Sequence, residues 1–176
     1  MQDTLARIKT INPQVNAIIS LREEADLLVQ AAQADKSSRT GWMHGLPIAI
    51  KDLHDVKDMP SSMGSAIFAD YIAEKDDIAV ARVRAAGAII IGKTNTPEFG
   101  LGSHTYNPVH GTTYNPYDLS KSAGGSSGGA AAALSTRMLP LADGSDMMGS
   151  LRNPAAWNNV YGFRPSFGLV PSEPGA

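Results

Sequence analysis

At 176 residues, 43% hydrophobic and 18% charged, the chain has the composition of an ordinary soluble domain with room for one sizeable core. Fifteen Lys and Arg against seventeen Asp and Glu leave a formal charge of -2, evenly spread, which argues against a nucleic-acid or membrane-surface partner. With no cysteine, disulfides, thiolate metal sites, iron–sulfur clusters and a cysteine nucleophile are excluded.

The opening MQDTLARIKT lacks the apolar core of a signal peptide, and no later stretch approaches the roughly 18 apolar residues of a membrane span, so a cytoplasmic location is expected. Leu5, Ile8 and Ile11 recur at helical spacing up to a break at Asn12-Pro13. A second amphipathic helix is predicted from Leu21 to Gln33, joined to the first by a short turn. The run Leu46-Pro47-Ile48-Ala49-Ile50-Lys51-Asp52 predicts a buried strand ending in two charged groups, for which a polar environment is needed. A helix from Asp77 stopped by Gly87 precedes the apolar strand Ala88-Ile89-Ile90-Ile91-Gly92, which gives α/β layering.

Beyond the strand end Lys93-Thr94-Asn95, Thr96-Pro97-Glu98 predicts a capped short helix, and 102–121 a long ordered loop carrying Tyr106, Tyr114 and Tyr117. Those tyrosines either pack the loop down or face an acyl or aryl group. The run Gly124-Gly125-Ser126-Ser127-Gly128-Gly129 opens an alanine-rich helix, an arrangement that offers backbone N–H groups to an anion or oxyanion. A strand over 138–142 and a second glycine-bearing turn, 143–150, complete the pattern.

Several known chemistries fail on these turns. A phosphate loop fails because alanines, not Lys-Ser or Lys-Thr, follow the glycines. The window Gly124 to Gly128 matches a nucleophile elbow, yet His44, His54, His104 and His110 all precede it, where the triad order would place histidine after it. No serine has lysine three residues on, and histidine-metal spacings are missing, so the histidines read as surface or structural. A lysine base remains. Lys51 stands at the end of an apolar strand, and lowering a lysine toward 7 or 8 requires about 3 to 4 kcal/mol of environment, which burial can supply.

Four separated motifs then resemble the amidase signature hydrolases: Leu46 to Asp52, Ala88 to Asn95, Gly124 to Gly129, and Gly149-Ser150-Leu151-Arg152-Asn153-Pro154-Ala155. The resemblance covers residues 4–172. It implies a Ser-cisSer-Lys triad with Ser150 as nucleophile, Ser126 as bridging serine after a cis peptide and Lys51 as base, the two serines being 24 positions apart as the family pattern requires. It implies an oxyanion hole from the N–H groups of Met147, Met148, Gly149 and Ser150, where losing one donor costs about 2.7 to 4 kcal/mol. Asp146 and Arg152 are expected to brace that turn. Met148 departs from the family, which has two glycines before the nucleophile; it reads as a harmless variant, the alternative being a side chain that restricts the turn and narrows the acyl pocket.

The implied fold is a partial α/β amidase signature domain over 1–176, a mixed sheet covered by helices, with a helical N-terminal region (1–35) and a signature core (44–172). Truncation at both ends is expected. The implied activity is hydrolysis of a carboxamide to carboxylate and amine or ammonia through an acyl-enzyme, without cofactor or metal. Alternatives are a glutaminase-type subunit of a tRNA-dependent transamidation complex and an inactive fragment. The partner is a small-molecule amide, with a homodimer left open and neither direct nucleic-acid binding nor a membrane.

Overall fold

In the computed structural model, which describes residues 1–171, the chain opens with α1 (Gln2–Val15). The expected break at Asn12-Pro13 does not end this helix. Pro13 lies in the last turn, where its missing N–H removes a single bond, and Asn16 N–H still reaches Asn12 O at 2.8 Å. A strand, β1 (Ile18–Leu21), then precedes α2 (Glu24–Lys36), so the helix–turn–helix reading is corrected. Asn12 is the cause: its side-chain oxygen accepts from Ala17 and Ile18 N–H (3.0 and 2.8 Å) and its amide donates to Ile18 O (2.8 Å), clipping the strand to the helix end.

β2 (Pro47–Lys51), α3 (Ile78–Ala85) and β3 (Ile89–Thr94) form where the sequence predicted them, and Gly87 stops α3 at φ 95. The expected helix after Thr96 is only a 3-10 turn, Glu98–Gly100, because the buried Thr96 hydroxyl finds no partner and caps nothing, while Phe99 turns the chain at φ 53. The predicted loop is instead two small antiparallel ribbons: β4 (Tyr106–Asn107) with β5 (Gly111–Thr112), and β6 (Tyr114–Asn115) with β7 (Asp118–Ser122). Tyr106 and Tyr117 of this segment are 63% and 67% exposed, with the Tyr117 hydroxyl facing Ser135 and Asn159. After α4 (Gly128–Ser135), the strand expected over 138–142 shortens to β8 (Leu141–Ala142), and α5 (Arg152–Trp157) follows the second glycine turn.

The main sheet has the order β1-β3-β2-β8, with β1 antiparallel to β3 and the other pairs parallel. Side-chain alternation sends Ile48, Ile50 and Ile90 to one face with Met43, Val56 and Val80. Ala49, Ile89 and Ile91 go to the other face with Leu5, Ile8, Leu27 and the alanines of α4. Each buried isoleucine or leucine contributes on the order of 2 kcal/mol. Helices therefore cover both faces, as expected of a mixed α/β layer. Glycine lets α4 sit closely: a Cβ on Gly129 would collide with the backbone of Asn95 and Ala17. Among the described residues no helix is long and apolar enough to cross a membrane.

The parallel strands β2, β3 and β8 all finish at the same edge, with Lys51 opposite Thr94 and Ala49 opposite Ala142. In parallel sheets this carboxyl edge is where polar groups converge, because the loops there are free to carry them.

Candidate active site

Lys51 is the last residue of β2 and is 0% exposed. Its Nζ lies at hydrogen-bond distance from three hydroxyls, Ser126 Oγ at 2.6 Å, Ser145 Oγ at 2.9 Å and Ser127 Oγ at 3.0 Å. Burial pushes the lysine down from 10.5 to about 8, with Asp143 and Asp146 acting in the opposite direction. An ammonium donates to all three oxygens, whereas a neutral amine donates two protons and accepts one. Ser127 cannot supply that proton without breaking its own bond, since it donates to Ser145 O and accepts Ser145 N–H (both 3.2 Å). Ser126, the nearest, has its proton available. This local bonding separates two adjacent serines that sequence reading separates only by resemblance.

The Gly125–Ser126 peptide is cis. Much of the glycine run is bonded internally: Ser127 N–H bonds Ser150 O (2.9 Å), Gly128 N–H bonds Thr105 Oγ1 (3.1 Å) and Gly129 N–H bonds Asn95 O (3.3 Å), while the Gly125 and Ser126 N–H groups have no acceptor among the described residues. It is a structural bracket, and its first bond fastens the Ser150 turn to the Ser126 turn. Ser150 is half-buried, and its hydroxyl makes no hydrogen bond among the described residues, so the structure brings Lys51 to Ser126 but does not join Ser150 Oγ to Ser126 Oγ.

Gly149 needs its glycine, with φ 110 and a Cβ that would meet the Asn153 amide. Met148 keeps a φ outside the left-handed region and is 85% exposed, with Met147 76% exposed, so the side chain at 148 does not strain the turn. Of the four expected oxyanion donors, Gly149 has its N–H engaged by Asp146 Oδ1 at 2.7 Å, while those of Met147, Met148 and Ser150 have no acceptor among the described residues.

Asp146 is the hub of that turn. Beyond Gly149 it accepts from the Leu151 and Arg152 N–H groups (both 3.2 Å), pairs with Arg152 Nε (2.9 Å) and lies 3.5 Å from Arg164 Nε. These bonds, led by the Arg152 guanidinium, hold its carboxyl far below the usual carboxylate range. Such a group stabilises the fold above its unfolded value and loses that contribution as pH falls. Solvent screens the exposed Arg152, which discounts its share of that stabilisation. Asp146→Asn is expected to cost on the order of 2 kcal/mol in urea unfolding at pH 7, a difference that shrinks below about pH 4.

A second buried cluster was not singled out from the sequence. Lys93 Nζ pairs with Asp52 Oδ1 at 2.9 Å and donates to Ser61 Oγ at 2.9 Å. Ser62 donates to Asp52 Oδ2 (2.6 Å) and receives His110 Nε2 (2.9 Å). The signal was present: Lys93, like Lys51, ends an apolar strand, and Asp52 is the second charge noted at the end of β2. The remaining histidines are held by protein groups, His44 by Ala34 O and His54 by Asp77, while His104 stacks on Trp157 with centroids 5.6 Å apart. Among the described residues no group of three or more His, Cys, Asp or Glu could hold a metal.

A mixed α/β sheet with a buried lysine among serine hydroxyls at its carboxyl edge thus defines the class. The sequence model of the Amidase family matches residues 1–176, and the chain belongs to the amidase signature family. It is 46% identical to the A subunit of glutamyl-tRNA(Gln) amidotransferase from Alkaliphilus metalliredigens (strain QYMF), over 97% of this chain and 35% of that protein. It is 42% identical to an acylamidase of Rhodococcus erythropolis, over 95% of this chain and 36% of that protein. Among solved structures, a bacterial aryl acylamidase of the amidase signature family superposes with a TM-score of 0.90 at 33% identity, covering 98% of this chain and 36% of that one. The chain spans about a third of the length of these relatives.

Proposed function

We propose that the chain carries the catalytic centre of an amidase. Ser150 Oγ attacks the carboxamide carbon, and its proton passes through Ser126 to neutral Lys51. The relay returns the proton to the departing nitrogen as the C–N bond breaks, because an amine anion is too poor a leaving group to depart unaided. Water then adds to the acyl-enzyme by the same route and releases the carboxylate. The N–H groups of Met147, Met148 and Ser150 stabilise the oxyanion. The observation that carries this reading is the fully buried Lys51 amine, lowered to about 8 and 2.6 Å from Ser126 Oγ. Among the described residues the Ser150 hydroxyl has no competing partner, and hydrogen bonds between catalytic groups commonly tighten only once substrate is bound. Superposition of 98% of the chain on an aryl acylamidase favours an acyl or aryl amide as substrate.

The 46% identity to an amidotransferase component supports a second reading, in which the same centre releases ammonia from an amide for a partner protein. Co-purification with such a partner, and ammonia transfer that depends on it, would select this reading.

The test is covalent trapping with a fluorophosphonate, mapped by peptide mass spectrometry. Label is expected on Ser150. Ser126→Ala should slow labelling about a thousandfold and Ser127→Ala less than about tenfold, because of these two neighbours Ser126 has its proton free to relay while Ser127 donates to Ser145 O. Label on another serine, or the reverse order of the two variants, would overturn the assignment.

A further inference from the structure

Two turns meet at the Lys51 amine. Ser126 and Ser127 come from the turn that opens α4, and Ser145 from the turn between β8 and α5. The turns are also fastened to one another at this point. Ser127 donates its hydroxyl proton to Ser145 O and accepts the Ser145 N–H, both at 3.2 Å, so the two residues hold each other across 18 positions of chain. With Lys51 Nζ at 3.0 Å, the Ser127 oxygen has both lone pairs and its proton engaged.

A neutral amine has two N–H groups and one lone pair, and here three hydroxyls take up those three directions. Ser127 can only accept. Ser145 is half-buried at 2.9 Å and, with Ser127, lines a cavity of about 1280 Å³, which is wide enough for water to take its proton. Ser126 is 2% exposed, lies closer at 2.6 Å and keeps its proton for the amine, so the lone pair belongs to Ser126.

The charges around the amine are held by other groups. Asp143, directly after β8, accepts the Lys51 backbone N–H at 2.5 Å with one oxygen, and its other oxygen lies 3.8 Å from His54 Nε2. Asp146 is held by Arg152 and Arg164, and Asp52, the residue after Lys51, is paired with Lys93. None of these contacts uses the hydroxyl of Ser127 or Ser145, so deleting either one leaves the charges in place.

We propose that Ser127 and Ser145 are a coupled pair of positioning residues for the base: together they take the two N–H bonds of the neutral Lys51 amine and so leave its lone pair facing the Ser126 hydroxyl. The proposal rests on Lys51 being the base of the reaction above. Without one of the pair, the other still holds the amine, and water from the cavity fills the vacated direction. Without both, the amine turns and donates an N–H to Ser126 Oγ, which is the wrong direction for the relay. The same two oxygens accept from the ammonium once the proton has arrived, so their loss also disfavours the charged form.

The test follows the rate of fluorophosphonate labelling at Ser150 and, separately, the Lys51 titration midpoint by NMR in protein carrying 13C-labelled lysine, the signal being assigned by its loss in Lys51→Arg. Ser145→Ala should slow the labelling step less than about twofold and Ser127→Ala less than about tenfold. The double alanine variant should slow it about a hundredfold or more, beyond the product of the singles, with reagent affinity unchanged. Ser145→Thr, which keeps a hydroxyl, should label like Ser127→Ala alone when placed in that background. The midpoint, about 8 in the wild type, should fall by about one unit in the double variant. Ser127→Ala with Ser145→Cys, whose thiol is a weak acceptor, serves if the double alanine variant does not fold.

Losses that merely multiply, a threonine that behaves as alanine, or a midpoint unmoved in the double variant each overturn the proposal. The function above fails differently: a wild-type midpoint at the ordinary 10.5, or label absent from Ser150, removes the relay itself, whatever these variants show.

Discussion

Ser150→Ala is expected to reduce amide hydrolysis by about a millionfold, to whatever rate binding and oxyanion stabilisation sustain without a covalent step. KM should barely move, because the hydroxyl is lost from the reaction and not from the substrate's other contacts. The measurement is steady-state turnover of an aryl acylamide alongside substrate affinity in the dead variant. Ser145 is the informative control. Its Oγ lies 2.9 Å from Lys51 Nζ, so it is the other serine placed to lose a proton to the base. Ser145→Ala should retain most of the activity. Near-normal turnover in Ser150→Ala, with loss in Ser145→Ala, would move the nucleophile to Ser145.

Lys51→Arg should lower kcat/KM by about a thousandfold to ten-thousandfold. The sign of the wild-type pH dependence follows from the environment of the amine. Burial disfavours the ammonium and moves its midpoint to about 8, while Asp143 and Asp146 partly restore it. A base works only when deprotonated, so kcat/KM should rise with pH through about 8 and fall about tenfold per unit below it. Arginine keeps the positive charge but does not lose it in this range, and so distinguishes a proton acceptor from a mere cation. An active arginine variant with the same pH profile would leave Lys51 an electrostatic or structural role.

The motif residues were legible in the sequence because each carries a local signal. β2 and β3 are short apolar runs, and Gly87 stops α3 where a left-handed φ is needed. The two glycine turns stand beside alanine and proline. Even the prospect of a lysine base could be read from the last position of an apolar strand. The local signals failed where a side chain decided the backbone. Asn12-Pro13 has the composition of a break, yet the Asn12 amide reaches across to Ala17 and Ile18 and makes a strand of what reads as a turn between two helices. Thr96-Pro97 has the composition of a cap, yet the threonine is buried facing no donor.

What the sequence determined by itself is therefore the family, the mixed α/β layering and the pair of turns in which Ser126 and Ser150 lie. Composition, spacing and apolar blocks are properties of contiguous residues and survive without coordinates. The tertiary structure alone decided which hydroxyls surround the Lys51 amine, that Gly149 N–H is spent on Asp146 while its neighbours' are not, and that Asp143 stands between His54 and Lys51. Those residues are separated by up to 94 positions along the chain. They meet only because β2 and β8 pair in parallel and finish at one edge, a register set by side-chain packing on both faces of the sheet rather than by any local pattern.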